Sequence, residues 1–385
     1  MASFQQLAFF GLLTSCVLAT LGFGGLDNIS GRFNRKKSSV ERDIPTKDGR
    51  TPFWNIAHMI NNVKQIDLAI SAGSNGIETD VSFDPKTGMP VEAYHGIPCD
   101  CGRHCHLRED FVKIVKHLAT VTNPHTGLPR LLLVLFDLKM SDLKEEELKR
   151  NAGRALAEIL HKNLYEPYEQ AIKGLEPIAP PLRVVLSINY AHDFPLIESF
   201  MKYVNDNNLD NMRQHVGFDV GMNDNLDKIS KEWKQLDGVT HNIWQGDGLT
   251  NCLNYARGVG RLKRAINIRN NHGPFKKVYF WTVDLLYHIR GILRLGPDAV
   301  LTNEPDRVNS VLEEPEFKDI YRLATPWDNP FEQYHIEPMA VKVKRPSIRE
   351  MAEVAGNFRQ TSMNYILAIP DGATALMSRR SLPKS

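Results

Sequence analysis

The chain has 385 residues, 42% of them hydrophobic, and a formal net charge of +2. That apolar content is ample for a large core, and the length permits one big domain or two ordinary ones. The near balance of charge excludes a global field that would draw nucleic acid, so any charged partner must be met by local clusters.

The N-terminus reads as a targeting signal. Leu7 to Phe23 is apolar and uncharged, and Val17-Leu18-Ala19 places small residues at the spacing of a signal-peptide cleavage site. Residues 1–23 are read as a signal peptide, cut after residue 19, which implies a secreted, extracellular protein. No Lys or Arg precedes the run, and its length is near the lower limit for spanning, so an uncleaved anchor is the rival. Residues 24–50 are polar and basic, with Arg35-Lys36-Lys37, and read as a disordered leader or propeptide. They hold the glycosylation sequon Asn28-Ile29-Ser30.

From residue 51 short apolar runs alternate with helical patterns. Strands are predicted at Trp54–His58, Gly76–Phe83, Val91–His95, Leu131–Leu138, Arg183–Ile188, Val216–Val220, His241–Gln245, Val278–Val283 and Asp298–Asn303. Several are apolar throughout, as strands buried on both faces of a parallel sheet are. The clearest helix is Ser141–Leu164, with Ser141 as N-cap and Glu145, Glu146 and Glu147 near its start. Another is Leu285–Leu295, ended by Gly296-Pro297. This alternation predicts an α/β fold, a single-domain (β/α)8 TIM barrel over residues 51–335. One strand is surplus to eight, and Val216–Val220 or His241–Gln245 is taken as the extra one. A doubly wound dinucleotide fold has no support, because no Gly-x-Gly-x-x-Gly follows the first strand. Residues 336–385 show no alternation and form a C-terminal extension whose role the sequence does not reveal.

The chemistry begins at Gly76-Ile77-Glu78-Thr79-Asp80-Val81. Alternate strand residues point the same way, so Glu78 and Asp80 share a face. Two like charges that close are costly unless something positive sits between them. Asp137 ends another apolar run, Leu131 to Phe136. Three hard oxygen donors suit one magnesium ion, which takes a few carboxylates and completes its shell with water and substrate phosphate. Calcium asks for more protein oxygens, and zinc for more His or Cys. Lys139 lies two residues beyond Asp137 and faces the same way, toward a phosphate oxygen or into a salt bridge with Asp80 or Asp137. His58 and His95 end two strands, and a pair of imidazoles beside three acids is read as a base and an acid. Tyr279 and Trp281 share a face of a late strand. With Asp284 they can hold a quaternary ammonium by cation–π contact, or simply pack the barrel.

Of five cysteines, Cys16 lies in the signal. Cys99, Cys101, Cys105 and Cys252 remain, and two disulfides follow in an oxidising compartment. Three pairings are possible; Cys99–Cys101 spans one residue and would be strained. A zinc site with His104 and His106 beside Cys105 is the rival.

These motifs resemble the sphingomyelinase D / phospholipase D family of spider venoms and related arachnids. The resemblance rests on Trp54-Asn55-Ile56-Ala57-His58-Met59, Ile77-Glu78-Thr79-Asp80-Val81, Tyr94 to Arg103 and Val134 to Lys139. It continues through Trp244 to Cys252, Tyr279 to Asp284, Ala324-Thr325 and Asp328-Asn329-Pro330. It runs in order from Phe53 to Phe331. The family is related to glycerophosphodiester phosphodiesterases, which usually carry His-Arg where this chain has His58-Met59.

The resemblance implies magnesium at Glu78, Asp80 and Asp137, catalytic roles for His58 and His95, and phosphate contact by Lys139; the sequence does not say which histidine is the base, and His95 is read as the acid to the departing alcohol. The resemblance also implies aromatic contacts near the headgroup from Tyr279 and Trp281, and disulfides Cys99–Cys105 and Cys101–Cys252. Asp328-Asn329-Pro330 resembles a segment that plugs the closed end of the barrel, with Phe331 where Trp is common. The implied substrates are sphingomyelin and lysophospholipids at a membrane surface. Choline or ethanolamine leaves, and the substrate's own hydroxyl attacks phosphorus to give a cyclic phosphate. A monomer with no nucleic-acid partner is expected. A glycerophosphodiester phosphodiesterase using water, or a catalytically silent lipid-binding relative, are the alternatives.

Overall fold

The structure is a computed structural model. It describes residues 48–334, apart from 102, 127–128, 176–178, 237–241 and 255–256, together with 336 and 339. The signal, most of the leader, the sequon, Cys16 and nearly all of the C-terminal extension lie outside the described residues.

Eight parallel strands form the barrel. They are β1 (Thr51–Ala57), β2 (Gly76–Phe83), β5 (Leu133–Leu138), β6 (Arg183–Ile188), β7 (Val216–Val220), β8 (Trp244–Gly248), β9 (Lys277–Trp281) and β10 (Ala299–Thr302). Their hydrogen-bonded order is β7-β6-β5-β2-β1-β10-β9-β8, and a parallel bridge between Phe218 and Ile243 joins β7 to β8. This is the (β/α)8 barrel. The strands read as apolar runs because helices cover their outer faces while side chains fill the inside. Two buried clusters follow: one between sheet and helices, the other inside the barrel, built on Trp54, Ile56, Leu135, Val185, Trp244 and Tyr279.

The surplus strand is neither of the two expected. Both Val216–Val220 and the strand at Trp244–Gly248 are staves; His241 itself lies outside the described residues. The extra one is β3 (Pro90–Tyr94), which pairs antiparallel with β2 and with β4 (Arg108–Asp110). Val91 is exposed there, so the strand is not sheathed on both sides as a barrel stave must be. His95 therefore ends an excursion above the barrel rather than a stave. The antiparallel register Val81↔Ala93 still carries the chain back down, so that Tyr94 falls opposite Asp80 and His95 follows it.

Helices α1 (Val63–Ser71), α2 (Phe111–Val121), α3 (Glu146–Leu160), α4 (Glu166–Ala171), α5 (Phe194–Asp206), α6 (Asp210–His215), α7 (Leu226–Gln235), α8 (Gly260–Asn270), α9 (Leu286–Leu293) and α10 (Pro305–Leu312) pack outside or connect the staves. Helix α3 is shorter than expected. Ser141 falls in a 3-10 turn over Met140–Asp142, and Glu145 occupies the N-cap position with no side-chain cap. Buried Leu143 pins that turn to the core, so the chain enters the helix later. Glu146 and Glu147 still lie in the first turn, where they complement the helix dipole. No helix among the described residues is long and apolar enough to cross a membrane.

The far end of the barrel is stoppered. Strand β11 (Tyr321–Leu323) pairs with the start of β1, and the chain then crosses the opening. Phe331 and Tyr334 are buried, the Trp244 indole donates to the Pro330 carbonyl at 3.0 Å, and the Arg183 guanidinium donates to the Pro326 carbonyl at 2.9 Å. Chemistry is thus confined to the opposite mouth, at the C-terminal ends of the strands.

Candidate active site

Strand register gathers the acids. Asp80 on β2 sits opposite Asp137 on β5, and Glu78 lies two residues before Asp80 on the same face. One oxygen from each of Glu78, Asp80 and Asp137 lies within 4.8 Å of the others. The backbone shapes the cluster. Met59 adopts φ of 59°, a left-handed conformation uncommon outside glycine, and this points its N–H at Glu78 Oε2, 2.6 Å away. The Asn61 side chain donates to Asp80 Oδ2 at 2.6 Å and accepts from the Asp80 N–H at 3.0 Å.

Lys139 answers the salt-bridge question with both partners: its ammonium is 2.6 Å from Asp80 Oδ1 and 2.5 Å from Asp137 Oδ2. One positive charge against three carboxylates is not enough. Burial, then the charges of Asp80 and Asp137, push the Glu78 carboxyl well above the usual carboxylate range, against Lys139 and the Met59 N–H. Burial also works against the Asp80 anion, but Lys139, His95 and Asn61 outweigh it and hold Asp80 below its ordinary value. Asp80 Oδ1 is met by the Lys139 ammonium alone. Three hard oxygens within reach of one another and a charge deficit that a divalent cation would cancel fit a metal ion.

The second potential ligand group, Cys99, Cys105 and His106, does not fit one. Its two sulfurs are joined, which overturns the zinc alternative. The disulfides are Cys99–Cys105 and Cys101–Cys252. They hold the loop that follows His95, and they differ in reach, spanning 6 and 151 residues. Loop-closure entropy values them at about 2 and about 5 kcal/mol respectively. Converting Cys101 and Cys252 to Ser is therefore expected to cost more stability than converting Cys99 and Cys105. Urea midpoints of the two double variants check this ranking.

The histidines are oriented by their Nδ1 atoms. His95 Nδ1 lies 2.9 Å from the Gly96 carbonyl, which can only accept, so Nδ1 carries the hydrogen and the neutral ring presents the Nε2 lone pair. His58 Nδ1 faces Asn303 Oδ1 at 3.2 Å and Asp100 Oδ2 at 3.4 Å. Asn303 cannot be flipped, because its amide nitrogen donates to Asp284 Oδ2 at 2.8 Å. His58 thus also donates through Nδ1, and its Nε2 points inward, 3.8 Å from Glu78 Oε2. Thr250 holds Asp100 by a 2.6 Å hydrogen bond, and Arg103 donates to the His58 carbonyl at 3.2 Å.

Asp284 does not stand open to an ammonium group as expected. Its oxygens accept from the Asn303 N–H, the Asn303 amide, Asn251 and Thr302, which makes it the anchor behind His58. Tyr279 lies inside the barrel at 2% exposure, its hydroxyl donating to Asp219 Oδ2 at 2.6 Å, whereas Trp281 is partly buried nearer the mouth. A Cβ on Gly246 would come within 2.7 Å of the Tyr279 ring and hydroxyl, so only glycine leaves room for that ring. Burial pushes the Asp219 carboxyl up to about 6, against hydrogen bonds from Tyr279, Ser187 and the Gly246 N–H. Sequence reasoning missed Asn61, Asp100, Asn251 and Asn303 as positioning groups. The only signal available for Asn303 was its place just past a strand end, and single polar residues in loops carry no periodicity.

A barrel with this mouth belongs to the class of barrel phosphodiesterases. A model of the dermonecrotic toxin SPH family matches residues 48–331. A dermonecrotic toxin of Loxosceles deserta is 40% identical over 285 residues, covering 73% of this chain and 99% of the toxin. One from Loxosceles arizonica is 37% identical over 306 residues, covering 78% and 95%. A glycerophosphodiester phosphodiesterase from Parabacteroides distasonis superposes with a TM-score of 0.44 at 14% identity, over 69% of this chain and 98% of that one. The chain belongs to the dermonecrotic toxin family and is a phospholipase D-type phosphodiesterase.

Proposed function

We propose that this enzyme is secreted, depends on magnesium, and cleaves sphingomyelin and lysophospholipids, releasing choline or ethanolamine and leaving a cyclic phosphate. The observation that carries the reading is the pair of imidazoles, each tied at Nδ1, with His58 Nε2 3.8 Å from Glu78 and His95 near enough for its charge to act on Asp80. Glu78, Asp80 and Asp137 would hold the ion. Bound magnesium supplies positive charge to the phosphate oxygens.

The chain's own groups do the rest. Lys139 sits between Asp80 and Asp137, where its ammonium can turn to a phosphate oxygen. His58 is the base: its Nε2 takes the proton of the substrate hydroxyl as that oxygen bonds to phosphorus. Asp100 and the Asn303 carbonyl oxygen, facing Nδ1–H, balance the charge the ring gains. His95, entering as imidazolium, gives its Nε2 proton to the choline or ethanolamine oxygen as the P–O bond breaks. One proton enters and one leaves, so the pair ends with its protonation reversed, and proton exchange with solvent water restores His58 as base and His95 as acid before the next turnover.

Phosphorus NMR of products from sphingomyelin and lysophosphatidylcholine, with magnesium and with chelator, tests substrate, product type and metal need together. A cyclic phosphate formed only with magnesium is expected. An open-chain phosphate would remove the intramolecular step, and turnover in chelator would remove the ion.

A further inference from the structure

The turn after β8 holds the two groups that hold His58, and the chemistry above leaves it without a role. Thr250 and Asn251 sit there side by side, both partly buried. The Thr250 hydroxyl has one hydrogen and gives it to Asp100 Oδ1 at 2.6 Å, which leaves Asp100 Oδ2 to face His58 Nδ1 at 3.4 Å. The Asn251 amide joins two loops. Its Oδ1 accepts from the Cys101 N–H, and its Nδ2 donates to the Cys101 carbonyl and to Asp284 Oδ2, each at 3.1 Å. Asp284 Oδ2 in turn accepts from the Asn303 amide at 2.8 Å, and Asn303 Oδ1 faces His58 Nδ1 at 3.2 Å. Two hydrogen-bonded branches thus start on adjacent residues and end on one ring nitrogen.

The base of the turn is fixed to the end of β9. The Leu249 N–H donates to the Trp281 carbonyl and the Thr282 N–H to the Leu249 carbonyl, each at 2.8 Å. Buried Asn254 donates its amide to the Trp281 and Thr282 carbonyls, both at 2.9 Å, and its N–H to the Thr250 carbonyl at 3.0 Å. The Cys101–Cys252 bridge fastens the same turn to the loop that carries Asp100. Most side-chain hydrogen bonds in proteins run to backbone or water. Here the Thr250 hydroxyl and one Asn251 amide hydrogen run instead to two carboxylates, the same two that brace His58.

We propose that Thr250 and Asn251 are positioning residues for the base: together they clasp Asp100 and Asp284, so that the His58 ring keeps its tautomer and its Nε2 keeps its direction. This rests on the reading of His58 as base. Among the described residues neither side chain is hydrogen-bonded to His95, to Lys139 or to the acid cluster, so the clasp acts on proton removal and leaves ion binding alone. A proton-transfer group works only within hydrogen-bond reach of its target, and a displacement of about 1 Å lowers the rate by about 10²-fold.

Steady-state kinetics of the full chain on lysophosphatidylcholine with magnesium test it. Thr250→Val keeps the side-chain shape without the hydroxyl, and is expected to lower kcat by about 10- to 100-fold with KM within about twofold of the parent. Thr250→Ser returns the hydroxyl and should recover kcat to within about threefold. Asn251→Leu should lower kcat as Thr250→Val does. The rise in melting temperature on adding magnesium should match the parent's in all three variants, because the acid cluster is untouched. In a His58→Ala background Thr250→Val should lower kcat by less than about twofold, since no ring is left to hold. The inference is overturned if Thr250→Val turns over like the parent, if KM carries its loss, if Thr250→Ser is no better than Thr250→Val, or if the losses of Thr250→Val and His58→Ala multiply. Should Asn251→Leu fail to fold, the Thr250 pair and the His58→Ala background decide. A His58→Ala enzyme with parental turnover would instead remove the reading of His58 as base, whatever the Thr250 variants do.

Discussion

Replacing His58 with alanine is expected to lower kcat on lysophosphatidylcholine by about 10³-fold or more, since a positioned proton-transfer group contributes roughly 10²–10⁴. The geometry sets this residue apart from the other histidines. Its ring is 9% exposed, its Nδ1 is held by Asn303 and Asp100, and its Nε2 faces the acid cluster. Alanine removes the base and leaves Asp100 Oδ2, buried and without a hydrogen bond of its own, with no ring beside it. A modest stability loss accompanies the kinetic one, so thermal melts belong beside the choline-release assay. A folded His58→Ala enzyme that retains a tenth of parental turnover would sink the assignment of His58 as base.

Removal of divalent cations has the second large expected effect. With chelator, turnover should fall to background and the melting temperature should drop; added magnesium should restore both. A ligand present at a hundred times its dissociation constant stabilises the folded state by about 2.7 kcal/mol. Asp80→Asn should abolish that magnesium-dependent rise in melting temperature, a readout independent of catalysis. The direction with pH follows from Glu78. In the metal-free protein burial and its acidic neighbours hold its carboxyl protonated well above the usual range. A ligating carboxylate must lose that proton, so magnesium affinity should weaken as pH falls and binding should release protons to the buffer. Titration calorimetry in buffers of differing ionisation enthalpy measures the release. A magnesium-induced rise that survives in Asp80→Asn would show that the ion sits elsewhere.

Much of the site was legible because its chemistry is local to strands. Glu78 and Asp80 share a face through the two-residue period alone, and the apolar run ahead of Asp137 marked a stave ending at the same rim. The misreadings came where a pattern lacks a partner. A short apolar run does not say which strand it pairs with, so the pattern of β3 matches a stave although the strand folds back on β2. The capping signal at Ser141 was overridden by the burial of Leu143.

The sequence by itself determined the barrel class, the three acids, the two histidines and the family, because alternation, spacing and motif order are properties of the chain. Only the tertiary structure decided what each group does there. Asn303 reaches His58 across 245 residues of chain, and Asp100 meets Thr250 across 150. It also turned Asp284 from a presumed ammonium ligand into an anchor and sank Tyr279 into the barrel. Hydrogen bonds between distant loops depend on where the barrel brings its strand ends, and no local period records that.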